Sequence, residues 1–326
     1  MLDSFGRTID YLRLSITDRC DLRCKYCMPE KPVFSKKSSF LSLKQLKVLS
    51  RILIKLGIKK IRITGGEPLV RKDILEYLEF LHKQKVNSLL NEILMTTNGT
   101  QLKKHAKSIS NFGIKRLNVS IDSIIPEKYN FITNGGSLEK VLNGIEEAKK
   151  NGIEIKINTV LLKNFNEDEV LDIAKWCATN NLKLSFIEVM PIGNLQISRT
   201  NQYLPVSFAK KIVDDNLGLV ISDFTTNGPS RYFRTLKFNS TIGFISPISN
   251  HFCPTCNRIR ITSSGILYPC LGDNNCVDLK PYLEKHNIKS LIRILEKIIF
   301  NKPEKHHFKI NEKKSDISRF MNTTGG

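Results

Sequence analysis

Apolar runs of strand character alternate with amphipathic stretches of helical period along most of the chain. Strands are predicted over 11–17, 60–64, 92–96, 116–121, 154–160 and 183–190, each rich in Ile, Leu and Val. Between them, apolar residues recurring at helical spacing predict helices over 43–56, 73–83, 103–111, 138–150 and 167–179. Ser42 with Gln45, and Asn166 with Glu169, have the spacing of capping boxes, while Gly57 and Asn151-Gly152 read as helix stops. Strands separated by helices imply parallel β/α units joined by right-handed crossovers. Such units can close into a full or partial barrel or lie in an open sheet, and periodicity does not choose between these. After about residue 200 the rhythm changes. Shorter strands are predicted over 219–224, 232–239, 242–245 and 258–262, then a helix over 288–300 and a polar, Lys-rich tail. This divides the chain into a βα core at 1–224 and a C-terminal extension or small second domain at 225–326.

Composition narrows the class. Of 326 residues, 40% are hydrophobic and 25% charged, ordinary values for a soluble globular protein with enough apolar material for a sizeable core. No apolar run is long enough to span a membrane. The first residues carry an acid and lack an apolar stretch, unlike a secretory signal, so a cytoplasmic location is expected. There thiols stay reduced, and eight Cys point to metal or redox chemistry rather than disulfides. Lys+Arg number 51 against 31 Asp+Glu, a net charge of +20. That charge attracts polyanions. However, 36 Lys and 15 Arg are spread along the chain, with one modest cluster at Lys302, Lys305, Lys309, Lys313 and Lys314. No Arg-rich stripe with interleaved aromatics exists, so the charge is read as Lys-rich composition and no nucleic-acid partner is expected.

The cysteines fall into two groups. Cys20, Cys24 and Cys27 form a C-x3-C-x2-C run directly after the first strand. That is the C-terminal edge of a β/α sheet, where sites are built. Three close thiolates can hold three corners of an iron–sulfur cubane and leave one iron open, whereas zinc wants a fourth ligand and none is near in sequence. Cys253, Cys256 and Cys270 form the second group. Here spacing leaves both iron–sulfur and zinc open, because His251 or Cys276 could supply a fourth ligand. Cys177, inside a helix, reads as a buried thiol. Arg13, Arg62 and Lys156 each interrupt the apolar run of a strand, and Arg258 and Arg260 have same-face strand spacing. Five such cations suit a convergent anion pocket. Glu67 reads as a support for the adjacent glycine turn, Asp122 as a strand end and Arg71 as a surface or loop anchor.

The first cysteine run, with an aromatic before its last Cys and Gly65-Gly66-Glu67-Pro68 after the second strand, resembles the radical S-adenosylmethionine (SAM) superfamily. The segment FCPTCNRIR at 252–260 with Gly265 and Cys270 resembles one of its families, the GTP 3′,8-cyclases of molybdenum cofactor biosynthesis. Matching segments are LRLSITDRC at 12–20, RITGGEP at 62–68, TTNG at 96–99, NVSID at 118–122, KINTV at 156–160, FIEVMP at 186–191 and the terminal Gly325-Gly326. The resemblance implies a partial (βα)6 TIM-type barrel of the radical SAM type, with a second iron–sulfur cluster in the C-terminal extension. It implies two [4Fe-4S] clusters, one on Cys20, Cys24 and Cys27, the other on Cys253, Cys256 and Cys270. SAM is implied at Tyr26, Gly66, Ser120 and Met190, and GTP at Arg13, Arg62, Thr96, Lys156, Arg258, Ile259 and Arg260. Arg13, Arg258, Arg260, Gly325 and Gly326 take catalytic roles, the tail entering the active site. This chain has Thr324 where the family tail usually has an apolar residue.

In that family a SAM-derived radical takes hydrogen from C3′ of the GTP ribose, and the carbon joins C8 of guanine. The further partners implied are an external electron donor, a downstream cyclic pyranopterin monophosphate synthase and a second copy in a homodimer. Two other readings compete on the residues alone: a radical SAM enzyme acting on peptide or RNA, and a zinc-containing nucleic-acid-binding protein.

Overall fold

A computed structural model of the chain describes residues 1–193, 199–226, 228–308 and 317–326. Lys309, Lys313 and Lys314 of the basic cluster lie outside the described residues. In chain order the elements are β1 (Tyr11–Ser15), α1 (Leu43–Lys55), β2 (Lys60–Thr64), α2 (Ile74–Val86), β3 (Glu92–Thr97), α3 (Leu102–Asn111), β4 (Arg116–Ser120), α4 (Pro126–Thr133), α5 (Leu138–Lys150), β5 (Glu154–Leu161), α6 (Val170–Thr179) and β6 (Lys183–Glu188). Next come α7 (Arg199–Gln202), α8 (Val206–Leu217), β7 (Leu219–Ile221), β8 (Arg231–Thr235), β9 (Thr241–Ile245), β10 (Arg258–Ile261), β11 (Ile266–Tyr268) and β12 (Val277–Asp278). The chain ends with α9 (Lys280–Glu284), α10 (Ile288–Phe300) and α11 (Met321–Thr324).

All six predicted βα strands form, and they pair in sequence order, β1 to β6, each parallel to the next. The partial (βα)6 barrel is borne out, and the C-terminal region extends it. β10 joins β1 in parallel on one side, and β9 joins β6 in parallel on the other. β11 and β12 continue beyond β10, and β8 and β7 beyond β9, in antiparallel pairs. The strands of 225–326 therefore belong to the same sheet as those of 1–224, and flank it on both sides.

Strand alternation decides what faces where. Leu12, Leu14, Ile61, Ile63, Ile259 and Ile261 are almost wholly buried in the layer shared with the helices. The intervening Tyr11, Arg13, Arg62, Arg258 and Arg260 line a cleft on the opposite face. Apolar residues on one face thus bury the sheet, and their neighbours are free to build a site.

Five helices escaped the sequence reading: the short α7, α9 and α11, and the longer α4 and α8. α4 is short and only weakly amphipathic, started by Pro126 at its first turn, and α8 follows Pro205. The Ser42–Gln45 capping box is present at the start of α1. The Asn166–Glu169 box is not. Asn166 instead accepts from the Leu162 amide at 2.9 Å and donates to the Asp122 and Val160 carbonyls at 2.8 and 2.9 Å. Glu169 accepts from Ser123 Oγ and the Ile124 amide, both at 2.9 Å. These side chains stitch the end of β5 to the loop after β4, a long-range use that capping spacing cannot reveal.

Candidate active site

The first cysteine loop leaves the C-terminal end of β1 and is held from two sides. The Arg23 and Lys25 amides donate to the Thr133 and Ile132 carbonyls at the end of α4, both at 3.0 Å. The glycine turn after β2 packs against the residues leading into the loop. The Gly66 amide donates to Thr17 O and the Glu67 amide to Arg19 O, each at 2.8 Å. A Cβ on Gly66 would lie 2.3 Å from Arg19 O, and one on Gly65 2.6 Å from Thr17 O, so only glycine fits either place. Glu67 is fully buried, and its carboxylate accepts from the Leu69 amide at 3.0 Å, Thr97 Oγ1 at 2.8 Å and the Asn98 amide at 2.7 Å. It supports the turn, as expected from sequence.

Cys20, Cys24 and Cys27 are partly exposed. Burial raises Cys20 to about 12 and Cys24 well above the usual thiol range, with Cys27 raising both further. Three soft donors, close enough to oppose each other's ionisation, suit a group that binds thiolates and displaces their protons. Asn98 Nδ2 lies 3.7 Å from Cys20 Sγ and the Leu22 amide 3.4 Å from it.

Among the proposed SAM residues, Ser120 ends β4, Gly66 and Met190 follow β2 and β6, and Tyr26 lies within the cysteine loop. They therefore gather at one end of the barrel. Tyr26 Oη donates to Asp122 Oδ2 at 2.7 Å, and Asp122 Oδ1 accepts from the Val160 amide at 2.9 Å. From sequence Asp122 reads as a simple strand end. Here it ties the loop's aromatic to β5, and no local pattern marks that link.

A cleft opens beside the loop, lined by Arg13, Arg62, Lys156, Arg258 and Arg260. Arg260, Arg13 and Arg62 stand in one row across three adjacent strands. Lys156 enters from β5 and Arg258 from below Arg260 on β10. Arg62 Nε donates to Tyr11 Oη at 2.6 Å, and its Nη1 to Met95 O at 3.2 Å and Thr96 Oγ1 at 3.3 Å. Lys156 Nζ donates to Ser185 Oγ at 3.1 Å and Tyr232 Oη at 3.2 Å. Among the described residues, none of the five cations forms an ion pair with an Asp or Glu side chain.

Burial pushes the Arg13 guanidinium down to about 9, partly offset by Tyr11 and deepened by Arg62 and Arg258. Burial, Arg13 and Arg258 push Arg260 well below the usual arginine range. A partly buried row of cations without an acidic side chain beside it is poised for an anion with several acceptor oxygens. Ile259 lies between the two arginines of β10 and is fully buried in the core, so only its backbone is left for a ligand. Tyr11, Asn118, Asn158 and Tyr232 also line the cleft and were missed by sequence reasoning. Tyr11 was within reach of it, since it precedes Arg13 by two on the same strand face.

Cys253, Cys256 and Cys270 also line this cleft. Burial raises Cys256, but Arg258 and Lys302 outweigh it and bring the thiol down to about 7. Lys302 is 2% exposed and donates to Pro269 O at 2.5 Å. Arg7 is likewise buried. Its guanidinium donates to Cys253 O at 2.9 Å, Glu304 O at 2.7 Å and Pro303 O at 2.7 Å, locking the N-terminal segment to the cysteine loop. Cys276 is exposed, and Cys177 is buried in α6 as expected.

The tail enters the cleft. Arg13 Nη2 donates to Gly326 O and Arg260 Nη1 to Gly325 O. Asn322 Nδ2 donates to Asp18 O at 3.0 Å. Gly325 has φ +77°, and an added Cβ would lie 1.9 Å from Thr64 Oγ1. Thr324 is fully buried.

Two family models divide the chain. The radical SAM superfamily matches residues 14–177, and the Molybdenum Cofactor Synthesis C family matches residues 182–308. Curated relatives named GTP 3′,8-cyclase match along the whole chain. That of Bradyrhizobium diazoefficiens is 42% identical over 329 residues, covering 100% of this chain and 96% of its own. That of Brucella ovis is 40% identical with the same coverage. Among solved structures, Streptococcus suis SuiB bound to S-adenosylmethionine superposes with a TM-score of 0.63 at 14% identity, over 97% of this chain and 77% of its own. An anSMEcpe structure with bound AdoMet gives 0.52 at 20% identity, over 63% of this chain and 56% of its own. At such identities these structures establish the fold alone.

Proposed function

Because the chain belongs to the radical SAM superfamily and, within it, to the GTP 3′,8-cyclases that open molybdenum cofactor biosynthesis, it is an enzyme that cyclises GTP with two [4Fe-4S] clusters and SAM, and we propose how its residues divide the work. Cys20, Cys24 and Cys27 hold the first cluster. Three thiols, no fourth protein ligand in the loop, and a glycine cradle that any Cβ would fill all suit a cluster with SAM on its open iron. When bound, that cluster and SAM supply a reductively generated carbon radical able to take hydrogen from a ribose. Tyr26, Gly66, Ser120 and Met190 position SAM at the strand ends.

Cys253, Cys256 and Cys270 hold the second cluster, on the wall of the cleft that also carries the cations. Arg13, Arg62, Lys156, Arg258 and Arg260 bind the triphosphate of GTP, with Thr96 and the Ile259 backbone beside them. The guanine then lies towards the second cysteine loop and the ribose between the two loops. Gly325 and Gly326, held by Arg260 and Arg13, close the cleft around the ribose and exclude water from the radical step. The observation that carries this reading is the in-register row Arg260, Arg13, Arg62 on the wall shared with the second cysteine loop.

An external one-electron donor and a downstream cyclic pyranopterin monophosphate synthase complete the reading, with a cytoplasmic setting and a homodimer. No helix among the described residues is long and apolar enough to cross a membrane. Anaerobic incubation of cluster-loaded protein with GTP, SAM and reductant is expected to give 5′-deoxyadenosine and cyclised nucleotide together. Neither product, with both clusters intact, overturns the reading.

A further inference from the structure

Beside the second cysteine loop, His251, Cys253 and His306 bring one donor atom each within 4.8 Å of one another. His251 Nδ1 and His306 Nε2 are 3.2 Å apart, with the rings inclined at 70°. A tetrahedral ion with bonds of about 2.0–2.1 Å to two imidazole nitrogens holds those nitrogens roughly 3.3–3.4 Å apart. The pair is therefore already spaced for a shared ion. His306 is 7% exposed and Cys253 6%, so the fold rather than solvent holds both. Phe308 packs against the His306 ring, 4.5 Å between centroids. Its amide donates to Nδ1 at 3.3 Å, and ligation through Nε2 moves the ring proton to Nδ1 and breaks that bond. His251 is exposed, which leaves an entry path and room for a water as fourth ligand. Two imidazoles and one thiolate suit zinc and cobalt(II).

We propose that His251, Cys253 and His306 form a further metal site, sharing Cys253 with the second cluster, for one divalent ion of the zinc class, which fills when that cluster is absent. The ion and the cluster exclude each other because both need Cys253. The site stands on the geometry of the three donors. The exclusion rests on the assignment of Cys253 to the cluster. Binding displaces the thiol proton and needs no oxidant or reductant.

The test is anaerobic titration of cobalt(II) into the full-length, cluster-free chain. One equivalent is expected to bind with thiolate charge-transfer absorption and the visible bands of a tetrahedral site. His251→Asn and His306→Gln should each weaken binding at least tenfold, whereas Cys270→Ser should retain it. Loss in Cys270→Ser with retention in both histidine variants places the ion on the three cysteines and overturns the site. Cluster reconstitution supplies a second readout that does not depend on any one variant folding. Wild-type protein preloaded with one zinc should take up about four irons, against about eight without zinc. The His251→Asn/His306→Gln double variant should return to about eight. Uptake of about eight irons with zinc still bound overturns the exclusion. Failure to exceed about four irons even without zinc removes the cluster assignment, and the exclusion with it, while the cobalt spectrum still decides the site.

Discussion

Arg13 and Arg260 are direct partners in the register of β1 and β10, and both donate to the last two residues of the chain, Gly326 and Gly325. Strands separated by most of the sequence thus converge on its end. The same two guanidinium groups face the cleft proposed for GTP, so one pair of side chains would read both tail and substrate. This coupling shapes the first two expectations.

Gly325→Ala should expel the tail. Its φ is +77° and the new Cβ would lie 1.9 Å from Thr64 Oγ1. Strain of this kind is worth about 1–3 kcal/mol, or roughly 5- to 150-fold in rate if the tail acts in the rate-limiting step. Cyclised nucleotide should fall by at least that lower figure while 5′-deoxyadenosine still forms. Equal yields of both in the variant would exclude a role for the tail.

Arg260→Ala should weaken GTP binding by about 10- to 100-fold, the value of a lost charge-assisted hydrogen bond. SAM cleavage at the first cysteine loop should survive, and Arg260→Lys should recover only part of the loss, because a point charge cannot replace the planar fork. Anaerobic calorimetry with GTP measures both. Unchanged affinity in Arg260→Ala would remove this residue from the triphosphate site.

Thr324→Val should strengthen tail docking. Thr324 is fully buried and its Oγ1 has no hydrogen-bond partner among the described residues. Valine keeps the shape and removes a buried, unpaired hydroxyl worth about 1–3 kcal/mol. Slower C-terminal proteolysis than wild type is the expected result. Faster cleavage would mean that the hydroxyl makes a bond in the working enzyme.

Asp122→Ala should loosen Tyr26 and raise the KM for SAM about tenfold, the loss of one buried hydrogen bond. In a Tyr26→Phe background the same substitution should have little further effect. Additive losses in the double variant would show that Asp122 acts through Val160 rather than Tyr26.

Glu67 carries a pH signature. Burial raises its carboxyl to about 7 from 4.5, against the lowering by its hydrogen-bond donors at Asn98, Leu69 and Thr97. Between those values the folded state keeps a proton that the unfolded state has lost, so stability falls as pH rises through the window. Urea midpoints of the cluster-free chain should show that decline, and Glu67→Gln should flatten it from a lower starting stability. An identical slope in the variant would assign the decline to other groups.

Much of this was legible along the chain because it is written at short range. The cysteine loops are local, with three thiols within a few residues or across one hairpin-sized interval. Arg13, Arg62 and Lys156 stood out because each interrupts an apolar strand, and alternation alone assigns them to the face opposite Leu12 and Ile61. The sites of Asp122, Arg7 and Lys302 were not legible. Each acts on a residue distant in sequence: Asp122 on Tyr26, Arg7 on the Cys253 carbonyl, and Lys302 on the Cys256 thiol and Pro269 carbonyl. Asn166 failed in the same way, its capping spacing being overridden by partners on β5 and in the loop after β4.

The sequence by itself determined the six parallel βα units, the two groups of three cysteines and the cations that break the strand pattern. Period, spacing and residue type are properties of neighbours along the chain. Only the tertiary structure decided that β9 and β10 continue the parallel sheet, that Arg260 stands in register with Arg13 and Arg62, and that Gly325 needs its missing side chain because Thr64 is there. It also brought His251 and His306 to 3.2 Å across more than fifty residues. Such relations depend on which strands pair and on how closely distant backbones approach, and burial of the whole core sets both.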